Sequence, residues 1–136
     1  MKPPENAVSI DLEVPFHDVD GLRIVWHGHY LKYLEIGRTA LMRAHGLDWA
    51  EIAGLGFGLL VGEIRVRHTF PLRYGDKFRV TTWCADLHHR IHLAFEVTNL
   101  THGRRSARGH TTLVSTDGEG NLLFETPDAI RNRLQG

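Results

Sequence analysis

An α+β fold, one long helix lying against an antiparallel sheet, is predicted by three observations. A proline-free segment from His29 to His45 places Tyr30, Tyr33, Leu34, Leu41 and His45 at helical spacings. Several segments after it alternate apolar and polar residues with period two. No internal repeat or linker interrupts the order strand, helix, then four or five strands.

The elements follow in order. Ala7 to Phe16 reads as a first strand, with Val8, Ile10, Leu12 and Val14 on one face. His17 to Gly28 is irregular around the short apolar patch Ile24 to Trp26. The helix His29 to His45 follows, stopped by Gly46, with Glu35 able to pair with Arg38 or Thr39 on one turn. A second short helix covers Asp48 to Ala53. Phe57 to Phe70 is a long strand, with Ile64, Val66, His68 and Phe70 on one face and Arg65, Arg67 and Thr69 on the other. Pro71 to Asp76 is a turn. Lys77 to Leu87 alternates with Phe78, Val80, Thr82 and Cys84 in phase, and Ile91 to Leu100 puts Leu93, Phe95 and Val97 together. Thr101-His102-Gly103 signals a hairpin into the strand Arg104 to Thr116. A turn at Asp117 to Gly120 leads to a short strand, Asn121 to Phe124, and Pro127 to Leu134 closes as a helical turn. The sheet is expected to have five or six strands. Its second face is solvated or covered by a partner, and outward residues such as Trp83 are too apolar for open water, which predicts a homo-oligomer.

Composition narrows the function classes. The chain has 136 residues, 42% of them hydrophobic, with 16 Lys plus Arg balanced by 16 Asp plus Glu. The length suits a single domain, 1–136. Zero net charge argues against bulk electrostatic binding of nucleic acid. No apolar run approaches the ~20 residues of a membrane span, and Met1 to Asn6 has no apolar core like that of a signal peptide. A lone Cys84 forms no internal disulfide; it is read as a small buried residue in a reducing, cytoplasmic protein. Ten histidines are unusual and raise the question of acid–base chemistry or metal binding.

The stretch from Phe16 to Tyr30 carries the chemistry. It leaves a strand, crosses a loop and enters a helix, and the first N–H groups of a helix have no internal partner. An oxygen developing negative charge is stabilised there by those donors and by the helix dipole. An acidic residue of the same loop can act as nucleophile or as general base toward water. On residue type alone, Asp18 is a cap or turn former, Asp20 stands between that role and a catalytic one, and His27 stands between packing and catalysis.

The motif Asp18-x-Asp20-Gly21-(x)₄-Trp26-His27-Gly28-His29-Tyr30-Leu31-Lys32-Tyr33-Leu34-Glu35 resembles the signature of the hotdog-fold acyl-CoA thioesterases. It is similar to the 4-hydroxybenzoyl-CoA thioesterases and the Tol-Pal-associated thioesterases, and Arg73-Tyr74-Gly75-Asp76 looks like another of their elements. The resemblance implies a hotdog fold, a helix wrapped by the sheet, and thioester hydrolysis without a cofactor. It assigns the essential acid to Asp20 and the oxyanion-holding N–H to His27, whose side chain matches a histidine of the Tol-Pal-associated branch. His29 departs from the usual Asn. Gly28 and His29 are implied to contact the substrate, His29 next to the thioester, while Tyr30 and Phe57 to Val61 line the acyl pocket together with residues of a second subunit. Arg90 lies where the aryl-CoA branch carries basic residues for coenzyme A. The implied partners are acyl-CoA or acyl-carrier protein and a second copy, as a dimer or a dimer of dimers.

Gly21-(x)₅-His27-x-His29 followed by Glu35 resembles a cupin metal motif, but the spacing to Glu35 is too long, and side chains two apart at a helix entry diverge by ~200°. No metal site is expected. A catalytically idle subunit that only binds acyl thioesters is the other alternative. His88, His89 and His92 with Arg90, and Arg104, Arg105 and Arg108, are surface groups or contacts to phosphate. No nucleophile elbow of the Gly-x-Ser-x-Gly type is present.

Overall fold

The structure, a computed structural model, describes residues 2–135; Met1 and Gly136, the two ends of the expected domain, lie outside the described residues. Strand β1 covers Val8–Glu13, a 3-10 turn Phe16–Asp18, helix α1 His29–Ala44 and helix α2 Trp49–Gly54. Strands β2 (Gly58–His68), β3 (Lys77–Asp86), β4 (Ile91–Asn99) and β5 (Arg104–Thr116) follow, and helix α3 (Asp128–Gln135) ends the chain. The five strands form one antiparallel sheet in the order β1-β3-β4-β5-β2.

The alternation in the sequence sets the two faces. β4 is buried at every second position, and β3 puts Phe78, Val80 and Thr82 on the same side. α1 lies on that side, with Tyr30, Tyr33, Leu34, Leu41 and Met42 buried. Close approach of helix to sheet depends on Gly37, where a Cβ would sit 2.5 Å from Thr82 Oγ1 and 2.7 Å from Val80 Cγ1. The Thr82 hydroxyl is buried there without a hydrogen-bond partner. α1 ends where Gly46 takes φ +68°, a backbone state that favours glycine. Asp48 then starts α2 with a capping box completed by Glu51.

Some expectations change. β1 stops at Glu13, because Pro15 has no N–H for the ladder and the chain turns into the 3-10 segment. Asn121 to Phe124 is not a strand. Only a single bridge, Thr116 to Leu122, forms, because Asp117 gathers the N–H groups of Glu119 and Asn121 into a tight turn. Trp83 does lie opposite Ala94 on the face away from α1, but it is only 5% exposed. It therefore gives no argument for a covering partner. The residue run that does is on β2: this edge strand is paired only with β5, and Leu60 and Val61 on it are exposed. No helix among the described residues is long and apolar enough to cross a membrane.

Candidate active site at the helix entry

The segment between β1 and α1 folds back on itself. Val19 bridges Val25, the Asp20 N–H donates to the Ile24 carbonyl at 2.9 Å, and Trp26 N–H donates to the Asp18 carbonyl at 3.0 Å. Arg23 turns the tip with φ 65°. This small hairpin holds Asp20 at the head of a tight loop. One oxygen of its carboxylate accepts the Leu22 N–H at 2.8 Å, and its second oxygen is without a partner among the described residues. Asp20 is half-buried, so the carboxylate is held in orientation and still reaches solvent.

The return arm of the hairpin runs into α1. Gly28 is the N-cap and already has helical φ and ψ, and no side chain caps the helix. The N–H groups of His29, Tyr30 and Leu31 turn back on the carbonyls of Trp26, His27 and Gly28. Among the described residues, the N–H groups of His27 and Gly28 have no acceptor. Two adjacent free donors at the positive end of a 16-residue helix form an anion-holding arrangement.

The side chains around this entry divide into two sets. Trp26 is half exposed, with its ring beside those of His27 and His29. Tyr30 is buried and edge-on to the ring of His68 at 4.5 Å, and burial pushes its hydroxyl up to about 12. It belongs to the core more than to an open pocket. The sequence carries no signal for His68 beyond its place on one face of a strand. Its imidazole is held below the ordinary histidine range, first by burial and then by the neighbouring His27.

Asp18 corrects the reading as a turn former. Its side chain is fully buried and accepts from Lys32 Nζ at 2.7 and 2.9 Å and from the Tyr33 hydroxyl at 2.5 Å. Burial raises its carboxyl, but the Lys32 and Tyr33 hydrogen bonds outweigh this and hold it below the usual carboxylate range. Tyr33 in turn is pushed well up by its own burial and by Asp18, so it stays protonated.

The remaining candidates lie elsewhere. Arg90 donates to the backbone carbonyls of Leu123 and Phe124 and lies over the Phe124 ring, so its guanidinium holds the 122–124 segment in place. Arg104 stacks on Phe70 at 4.3 Å, and Arg38 pairs with Glu35 at 2.5 Å as the helical spacing predicts. Arg65 and Arg67 face His110 and Arg108 across the β2–β5 ladder on the exposed side. A cavity of about 240 Å³ opens between α1, α2 and the start of β2, lined by Met42, Leu47, Trp49, Ile52, Phe57 and Leu59. Its α1 residues lie about 10 or more positions past the helix entry, which at ~1.5 Å per residue separates it from the His27 amide by some ~15 Å. Among the described residues, no three His, Cys, Asp or Glu side chains gather as metal ligands.

Known proteins resemble the chain throughout its length. Residues 14–134 match the family model of the thioesterase-like superfamily. A Synechocystis protein provisionally named an esterase is 27% identical over 132 residues, 96% of this chain and 80% of the relative. YneP of Bacillus subtilis, provisionally named an acyl-CoA thioesterase, is 34% identical over 76 residues, 56% of this chain and about half (55%) of the relative. Among solved structures, the Staphylococcus aureus protein SAV2348, determined in complex with CoA, superposes with a TM-score of 0.85 at 18% identity, covering 95% of this chain and 82% of that one. The helix wrapped by an antiparallel sheet is the hotdog fold, and the chain belongs to the thioesterase-like superfamily.

Proposed function

We propose that the protein hydrolyses acyl thioesters of coenzyme A or of an acyl-carrier protein, using Asp20 and the amides at the start of α1. The observation that carries this reading is the junction itself: two acceptor-free N–H groups at His27 and Gly28, next to a hairpin that fixes one oxygen of Asp20 and leaves the other open. The thioester carbonyl oxygen binds at the amides, where the negative charge of the tetrahedral intermediate is stabilised. The Asp20 carboxylate attacks the carbonyl carbon or takes a proton from a water that does. When Asp20 attacks, the C–S bond breaks to leave an Asp20–acyl anhydride, which water then hydrolyses to free the carboxylate; when water attacks, the proton taken by Asp20 passes to the leaving sulfur. In both routes the pantetheine thiolate ends as the thiol, its proton coming from the water consumed, and the acyl group leaves as the carboxylic acid. The His27 side chain orients water or the leaving thiol, and His29 and Tyr30 border the acyl group.

The acyl cavity supports assembly around a shared site. In one copy it lies too far along α1 for a thioester held at His27 to enter it. β2 is an 11-residue edge strand with exposed Leu60 and Val61. Two copies paired antiparallel through the middle of β2 bring Gly58 of one opposite His68 of the other. The Phe57–Leu59 wall of the cavity then stands beside Tyr30 and His27 of the second copy. Arginines on the exposed face of β2 and β5, Arg65, Arg67 and Arg108, lie in reach of coenzyme A phosphates in this arrangement.

Steady-state hydrolysis of a panel of acyl-CoAs and acyl-carrier-protein substrates tests the reading. Asp20→Asn is expected to lower kcat by ~10²–10⁴. Hydrolysis by Asp20→Asn as fast as the parent would contradict the mechanism. Binding of acyl-CoA without turnover by the parent would favour a non-catalytic subunit. Sedimentation showing an active monomer would contradict the shared site.

A further inference from the structure

We propose that Asp18 is a positioning residue, the buried anchor from which both Asp20 and the His27 amide are hung on α1; this rests on the thioesterase reading above. Asp18 touches three elements at once. Its N–H donates to the Pro15 carbonyl at the base of the 3-10 turn, and its carbonyl receives the Trp26 N–H of the return arm. Its carboxylate takes Lys32 and Tyr33, which lie three and four residues after His29 on one face of α1. His29 Nδ1 stands 3.8 Å from the same carboxylate and His17 Nε2 3.6 Å.

The placement explains what the carboxylate does. Fully buried, with both oxygens engaged, it has no route to a substrate. An ionised group in that setting is stable only while its donors stay in place, so the donors and the carboxylate fix one another. Asp20 follows it by two residues on the outgoing arm, and His27 follows Trp26 directly on the return arm. A displacement of Asp18 relative to Lys32 and Tyr33 therefore moves the carboxylate and the oxyanion donor together. A shift of 1 Å at such a pair is enough to cost ~10²-fold in rate.

The test uses Tyr33→Phe and Lys32→Met, which remove one donor each, beside Asp18→Asn, all in the full chain. Each is expected to lower kcat ~10- to 100-fold with KM held within about threefold. Lys32→Arg, which keeps the charged donor, recovers part of the loss. Hydrogen exchange of the amides in Val19–Gly28 is expected to quicken by about tenfold or more, while β3, β4 and β5 exchange as in the parent. Unchanged exchange in Val19–Gly28 overturns the proposal. So does faster exchange spread equally over the sheet, which would make the cluster a general stabiliser. If the parent hydrolyses no acyl thioester, the functional reading fails, and the exchange measurement still decides whether Asp18 anchors the loop.

Discussion

Gly37→Ala probes the distance between the site-bearing helix and the sheet. The new Cβ meets Thr82 Oγ1 at 2.5 Å and Val80 Cγ1 at 2.7 Å, where ordinary contact begins near 3.4 Å. Both neighbours are β-branched and stiff about χ1, so neither swings away freely. The helix must lift by most of an ångström, which puts the cost in the upper part of the usual overpacking range, ~2–3 kcal/mol. Alanine returns about 1 kcal/mol through its better helix propensity. The net expectation is a loss of ~1–2 kcal/mol, which for a chain of this length lowers Tm by ~3–6 °C. Thermal unfolding followed by circular dichroism measures it, and acyl-CoA hydrolysis on the same samples reports whether α1 carried the site with it. A Tm equal to or above the parent's would refute the close helix–sheet contact and, with it, the argument that the sheet sets the position of the helix entry.

Three further outcomes follow from other contacts. Thr82→Val exchanges a buried hydroxyl without a partner for a methyl and is expected to stabilise by about 1 kcal/mol, read as a rise of a few degrees in Tm. Gly109→Ala drives a Cβ to 2.3 Å from the Arg65 carbonyl, a backbone atom that cannot yield, so β2 separates from β5 at a cost of about 3 kcal/mol or more; sedimentation is then expected to show loss of the proposed β2-mediated assembly. The depressed carboxyl of Asp18 gives stability that is fully present above the unfolded value near ~4 and is lost as the pH falls through the lower folded value. Melting temperatures should hold from neutral pH to about 5 and fall below about 4, with a shallower fall in Asp18→Asn.

The parts of the fold legible from sequence are those decided by near neighbours. α1 is a run of helical spacings closed by a glycine, and β4 alternates so regularly that phase alone separates core from surface. Asn121 to Phe124 misleads because its apolar run is overruled by Asp117, which closes a turn with its own side chain. The site was legible where it is a motif and illegible where it is a meeting. Asp20 and His27 stand in a recognisable order. Asp18 reads as a turn residue because Lys32 and Tyr33, 14 and 15 residues away, reach it only after the hairpin folds. His68 comes beside Tyr30 and His27 from a strand some 40 residues on, with no local signal of its own.

The order of the sheet also sets a timetable for synthesis. β1 and β2 flank α1 in the chain, yet they end at opposite edges of the sheet, and β2 has only β5 to pair with. As the polypeptide is made from its N-terminus, β2 is complete by His68, while the last residue of β5 is Thr116. During that interval the strand carrying Leu60 and Val61 has both edges open, and closing the long intervening loop is a non-local, slow event. Two nascent chains on one message would meet through β2 before either had folded. The edge proposed to join two copies is thus also the chain's principal route to misassembly, and refolding yield should fall as protein concentration rises.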